Sequence, residues 1–257
     1  EDEHSFLLEL KEAEIPVIAP ISLISGSTLG TCDDTFFAIY PKMGGRNCDE
    51  FTEDQWLELG RLIGRIHSVG AESVAKDRII LTPEHSTKKH IDFIIKGGFL
   101  PKEYSNWFVE ITDELLETIT PLFKDKRVIR IHGDCYSANI IHRPQESLYM
   151  IDFDDMVMGP AIHDVWMLLP GYIKDTKKEL SLFVEGYETF KNFNFNDLSL
   201  VEPLRAMRYV HFAAWCAHRA KDGGAASLIP GWGSPEYWQI EINDLESQIH
   251  QIKEDIK

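Results

Sequence analysis

The sequence predicts an α+β fold in which a short mixed segment of helix and strand precedes a larger, mostly helical body. Apolar residues recur at helical spacing over most of the chain beyond residue 50. Strand-like patterning is confined to 17–40 and 128–153, and no internal repeat or Gly/Ser linker divides the chain. At 257 residues, with 44% hydrophobic and 26% charged side chains, the chain is long enough for a buried core and too apolar for long disorder.

Phe6, Leu7 and Leu10 give a first helix that Pro16 brings to an end. Val17 to Ile24 reads as extended, Ser25 to Gly30 as a turn, and Phe36 to Tyr40 as a strand broken by Pro41. This stretch is too small for a core of its own and should pack on the rest of the chain or on missing N-terminal strands, so the reading divides into a small mixed segment over 1–45 and a helical body over 46–257. Thr52 is an N-cap for a helix whose face is Trp56, Leu59, Ile63 and Ile66. Further faces are Trp107, Ile111, Leu115, Ile119; then Leu180, Phe183, Tyr187, Phe190; then Leu200, Leu204, Met207, His211, Trp215. A last stripe, Trp238 to Ile256, packs on the helical body or, in an alternative reading, mediates dimerisation; its spacing spans under three heptads, too few for a coiled coil, and the expectation is a monomer. Between the second and third helices, Val128–His132, Asn139–His142 and Leu148–Phe153 read as short strands with polar residues at their joints.

The formal charge of −16 argues against nucleic-acid or anionic-membrane partners, which select basic surfaces. Cys32, Cys48, Cys135 and Cys216 form no C-x-x-C pair and read as free thiols. No apolar run approaches the ~20 residues of a membrane span, and no signal peptide is visible, so the expected location is the cytoplasm. Residue 1 is Glu rather than Met, which points to processing or to a chain that starts inside a longer protein.

Chemistry concentrates at His132-Gly-Asp134, Asn139 and Asp152-Phe-Asp154. A tight hairpin from 139 to 152 brings Asn139 and Asp152 face to face, an amide oxygen and a carboxylate of the kind that hold Mg2+ beside phosphates. Asp134 then lies outside the metal shell, able to accept a proton from an attacking hydroxyl. The order H-x-D-x-x-x-x-N, apolar strand, Asp-Phe matches the kinase pattern. Taken singly, Asp134 and Asn139 would be turn residues, and His132 reads as a hydrogen-bonded structural histidine.

This segment resembles the catalytic core of the aminoglycoside phosphotransferase and choline kinase superfamily, which carries H-G-D. The 152–169 and 202–208 blocks, with Glu3-His4, Glu14–Pro20 and Gly44-Gly-Arg46, resemble the bacterial stress response kinase A family. The resemblance implies a protein-kinase-like fold and transfer of the γ-phosphoryl group of ATP, with Mg2+, to Ser/Thr of a protein or to a small hydroxyl compound such as homoserine, choline or an aminoglycoside. It implies Asp134 as catalytic base and Asn139 and Asp152 as metal ligands. It places the adenine hinge at Phe36 to Met43, with Phe37, Ala38, Ile39, Tyr40, Pro41, Lys42 and Met43 toward the nucleotide. It puts Glu3 where a glutamate pairs with the phosphate-clamping lysine, Glu1 and Glu9 being alternatives, and has Asp164 brace the catalytic loop.

The chain departs from the pattern in carrying Asp154 in place of Gly and in lacking the lysine strand and nucleotide loop, which the family has upstream of the Glu-His block. Ser25–Gly30 lacks the spacing to replace that loop, and Lys11 is on the wrong element. The favoured explanation is an omitted N-terminal segment, since residue 1 is not Met; the alternatives are a natural truncation or a pseudokinase binding module, and strands supplied by another chain. No A-P-E segment follows Asp152, so activation-loop control is not expected. A metal-dependent phosphohydrolase using His132, Asp134, His142, His163, Asp164 and Asp152 is the competing chemistry, but His132 on a strand and His163 after Gly-Pro converge poorly.

Overall fold

The structure, a computed structural model, describes all residues except 49, 144–145, 222–228, 230 and 257. The chain divides into two compact units, Glu1–Arg78 with Arg127–Phe195, and Ile79–Lys126 with Asn196–Lys257.

In the first unit, α1 (Asp2–Glu12) buries Phe6, Leu7 and Leu10 as their spacing requires, with Asp2 and Glu3 in the first turn where the helix dipole favours acids. The chain leaves α1 through Glu14 at φ 55° and turns before Pro16. The stretch 17–24 forms no strand of its own; the Pro16 carbonyl accepts from Met150 N (3.0 Å) and Val17 bridges Met150 in parallel. β1 (Gly30–Cys32) and β2 (Thr35–Phe37) form a hairpin whose two-residue turn, Asp33-Asp34, has both φ values positive. That is the turn geometry that matches strand twist. The strand expected over 36–40 therefore stops at Phe37; beyond it the Ile39 carbonyl accepts from Ile21 N at 2.7 Å. The turn expected at Ser25–Gly30 closes early, at Gly26 (φ 85°), leaving Gly30 free to start β1.

β3 (Arg46–Asn47), β5 (Ile140–His142) and β6 (Leu148–Met150) form an antiparallel sheet in the order β3-β5-β6, and β4 (Ile129–Ile131) pairs with β7 (Val157–Gly159). The register Ile140↔Met150 is the hairpin predicted between 139 and 152. α2 (Glu53–Gly70) starts in a capping box: Thr52 Oγ1 accepts from Gln55 N and Gln55 Oε1 accepts from Thr52 N. It buries Trp56, Leu59, Ile63 and Ile66 and packs on α6 (Lys177–Tyr187). A Cβ on Gly60 would stand 2.0 Å from the Phe183 carbonyl oxygen, and one on Gly186 2.0 Å from that of Leu57, so the two backbones meet where only hydrogen fits. Phe190, read as the end of the α6 face, lies beyond the helix and is 52% exposed. α5 (Ile162–Leu168), too short for a periodic signal, follows β7.

The second unit holds α3 (Lys88–Gly97), α4 (Lys102–Ile119), α7 (Val201–Lys221) and α8 (Pro235–Ile256). On α7 the buried face runs Leu204, Met207, Val210, Ala214 and Ala217, while Trp215, expected inside, is 39% exposed. Following large side chains misread a helix that packs through alanines. α8 lies on α4 and α7, burying Trp238, Ile242, Leu245, Ile249 and Ile252, so most of its stripe is core within this unit; Ile256 is exposed. Buried Glu202, from the 202–208 block, accepts from Arg205 Nε (3.1 Å) and Gln248 Nε2 (2.6 Å).

Candidate active site

The site is built on the ends of β4, β5 and β6. β4 runs into His132-Gly-Asp134, and the chain turns through 137–139 into β5. Tyr136 N (3.1 Å) and Asn139 Nδ2 (2.9 Å) both donate to the Asp134 carbonyl, which closes the loop over five residues. Ile151 N donates to the Asn139 carbonyl (3.0 Å), fixing Asp152 one residue beyond the point opposite Asn139. Asn139 is 5% exposed, and Asp152 is exposed with φ 64°. The Asn139 amide nitrogen is thus committed to the loop, which leaves Oδ1 as the end able to meet a cation.

Buried Asp164 on α5 holds this loop from behind. Its Oδ2 accepts from His132 N (2.8 Å) and lies 3.0 Å from His67 Nε2, and its Oδ1 accepts from Gly133 N (2.9 Å). Burial by itself pushes the Asp164 carboxyl up, but the hydrogen bond from His67 and the pull of His67, His132 and His163 overcome it and set the pKa at about 2. His132, fully buried, accepts from Asp134 N at Nδ1 (3.2 Å) and so donates from Nε2 to the Ile151 carbonyl (2.8 Å). It therefore ties the Asp134 loop to the Asp152 strand, the structural part read for it from sequence. Gly133 has φ 85°, and a Cβ there would meet the Asp155 carbonyl oxygen at 2.2 Å. The glycine of H-G-D is required by backbone geometry on both counts.

Glu3, Tyr40, Pro41, Lys42, Met43 and Asp152 line one open cleft of about 440 Å3, together with apolar side chains that include Leu7, Ile18 and Phe153. Backbone groups of Tyr40 to Met43 take part in no backbone hydrogen bond among the described residues. Phe37, Ala38 and Ile39 do not line the cleft: Phe37 packs beside Gly30 in the β1–β2 hairpin, and the Ile39 carbonyl is used by Ile21. Neither Asp134 nor Asn139 lines it. Of the glutamates on α1, Glu9 is locked on Arg130 by bonds of 2.6 and 2.9 Å, which holds its carboxyl below the usual range, whereas Glu3 accepts from Tyr40 Oη (3.0 Å) and Arg78 Nη2 (3.2 Å). Burial and the charge of Glu3 push the Tyr40 phenol well up, so it stays a donor.

Arg78 and His67 were not legible from sequence. Arg78 donates to Glu3 and, at 2.5 Å, to the Asp154 carbonyl, linking α1 to the Asp152–Asp155 turn. No motif marks an arginine in a connector, and only its spatial neighbours give it a part. The His-rich hydrolase alternative is not favoured, since no group of three or more His, Cys, Asp or Glu side chains is arranged for a metal among the described residues.

A nucleotide and a divalent cation fit what is present. The cleft offers apolar walls for a base beside the 40–43 backbone, which makes no backbone hydrogen bond among the described residues, and Asn139 and Asp152 would offer the one or two oxygens that Mg2+ takes from protein.

These elements define a protein-kinase-like fold, and comparison with known proteins agrees. The solved amicoumacin kinase hAmiN, in complex with AMP-PNP, Ca2+ and Ami, superposes with a TM-score of 0.69 at 17% identity, covering 99% of this chain and 77% of that one. The chain is 34% identical over 254 residues to Stress response kinase A of Escherichia coli O157:H7, spanning 98% of this chain and 76% of the relative. It is 33% identical over 258 residues to serine/threonine protein kinase RdoA of Salmonella typhimurium strain LT2, with the same coverage. The model of the APH phosphotransferase enzyme family matches residues 1–200. The chain belongs to that family.

Proposed function

We propose that this chain transfers the γ-phosphoryl group of ATP to a hydroxyl, with a protein Ser or Thr as acceptor. One observation carries the reading: a single turn ties the Asp134 carbonyl to the Asn139 amide while the Asn139 carbonyl holds the strand end bearing Asp152. Asp134 orients the acceptor hydroxyl and takes its proton as the new O–P bond forms and the bond to the β-phosphate oxygen breaks, releasing ADP. Asn139 Oδ1 and the Asp152 carboxylate would hold Mg2+, which would supply positive charge to the phosphates. The backbone of Tyr40 to Met43 pairs with adenine, and Glu3 takes the place of the glutamate that, in the family resembled, pairs with a phosphate-clamping lysine. Hydrogen bonds from Tyr40 and Arg78 orient Glu3 in the cleft.

The relatives' names support a protein acceptor and a stress-response setting, and the proposed place of action is the cytoplasm. A small hydroxyl compound is the second reading, favoured by the structural likeness to a kinase named for amicoumacin. Asp134→Ala is expected to lower phosphoryl transfer by a factor of about 100 to 10,000, the usual worth of a general base. ATP affinity, measured by titration calorimetry with Mg2+, should stay within about twofold, because Asp134 lies outside the nucleotide cleft. Wild-type transfer by this variant refutes the assignment.

A further inference from the structure

Asp152 takes a left-handed backbone conformation, φ 64°, which a residue with a Cβ adopts at an energetic cost and keeps only where its neighbours enforce it. We propose that Arg78 is a positioning residue that straps the Asp152–Asp155 turn to α1 and so holds Asp152 in the backbone conformation it needs to meet a divalent cation. The inference rests on the phosphotransferase reading and adds to it a residue that acts on the metal site through the backbone of the turn.

The two halves of the turn are held differently. The inner half is fixed by buried groups: Ile151 N donates to the Asn139 carbonyl (3.0 Å), the Ile151 carbonyl accepts from His132 Nε2 (2.8 Å), and buried Phe153 packs against the rings of Phe6 and His132. The outer half, Asp154 and Asp155, is exposed. Arg78 reaches this half: Nη1 donates to the Asp154 carbonyl (2.5 Å) while Nη2 donates to Glu3 Oε2 (3.2 Å). The anchor is itself fixed. Tyr40 Oη donates to the other Glu3 oxygen (3.0 Å), and Asp77 N donates to Asp2 Oδ2 (2.9 Å) at the start of α1.

Arginine suits this place. Its rigid planar fork serves two acceptors through separate nitrogens, which the single ammonium nitrogen of lysine would have to share. Glu3, Asp152 and Asp154 line the nucleotide cleft and Arg78 does not, so its effect on a bound cation passes through the turn. Without the strap, Asp152 relaxes toward the negative φ values that residues with a Cβ favour, and its carboxylate loses its direction. Charge alone predicts the opposite result: removing a nearby positive group would strengthen cation binding. A weakened cation is therefore the mark of lost positioning.

The test compares the whole chain with Arg78→Met, Arg78→Lys and, as control, Arg65→Met. Arg65 caps the other end of α1, donating from Nη2 to the Ala13 and Glu14 carbonyls (2.8 and 2.9 Å). Metal-free hydrogen exchange reads the turn through the Met156 amide, which donates to the Phe153 carbonyl (2.9 Å). Exchange there should be at least tenfold faster in Arg78→Met, at least threefold faster in Arg78→Lys, and within twofold of wild type in Arg65→Met. Mn2+ affinity, read by electron paramagnetic resonance with saturating AMP-PNP, should fall by the same factors and hold in the control. Arg78→Lys, which keeps the charge, decides the matter if Arg78→Met does not fold. Met156 exchange within twofold of wild type in the Arg78 variants, Mn2+ affinity unchanged or raised, or an equal response in Arg65→Met overturns the proposal. A wild-type chain that binds no Mn2+ with AMP-PNP sinks the phosphotransferase reading instead, and the exchange rates still decide whether Arg78 holds the turn.

Discussion

Asp164 shows how much of a phosphotransferase loop is held by a residue that touches no substrate. One buried carboxylate accepts from two successive backbone N–H groups and meets an imidazole, so the backbone of His132 and Gly133 has one low-energy path. Its pKa falls from 3.8 in the unfolded chain to about 2 in the folded one. The sign follows: the ionised form is favoured by folding, so the stabilisation is complete above about pH 4 and is lost as pH falls through 2. By linkage this amounts to about 2 kcal/mol. Urea midpoints between pH 5 and pH 2 should show that loss, and Asp164→Asn should remove the dependence along with part of the stability at neutral pH; an unchanged acid limb in the variant would mean other carboxylates carry it. At this scale the sequence was most informative about local backbone: the hairpin read between 139 and 152 is the one formed, with Ile140 opposite Met150. It was silent on Arg78 and His67, whose parts depend on partners distant along the chain.

Among the elements, the α2–α6 contact sets the frame behind the site. Gly60 and Gly186 each face a carbonyl oxygen of the other helix, 2.0 Å from where a Cβ would stand. Gly186→Ala forces the helices apart and should cost roughly 1–3 kcal/mol, the usual penalty of overpacking. A fall in thermal midpoint is the expected result; an unchanged midpoint would show that the helices slide freely. Helix α2 was legible to its cap because Thr52, Gln55 and the apolar stripe all agree. The β1–β2 hairpin was not, because its turn is Asp-Asp and its strands are three residues each, too short for alternation to show. The α7 face was misread at Trp215 because size was followed where small residues pack.

At the scale of the whole chain, the formal charge of −16 over these 257 residues contributes an acidic field to the surroundings of any acceptor. Acidic proteins draw cations over distances that salt cuts to about 10 Å at 0.1 M. With a cationic acceptor, kcat/KM should therefore fall severalfold as ionic strength rises, with kcat much less affected; a flat profile would put recognition in uncharged contacts alone. The division into two units, each drawn from two separated chain segments, was not legible, since the periodic patterns mark helices without saying which neighbours they choose. No described helix is long and apolar enough to cross a membrane.

The most direct measurement is a crystal structure of the whole chain with Mg2+ and AMP-PNP. The account predicts Asn139 Oδ1 and an Asp152 carboxylate oxygen about 2.1 Å from the same ion. Asp134 should lie outside that shell, facing the γ-phosphate. An ion bound without Asn139 and Asp152, or one that takes Asp134 as a ligand, would contradict it.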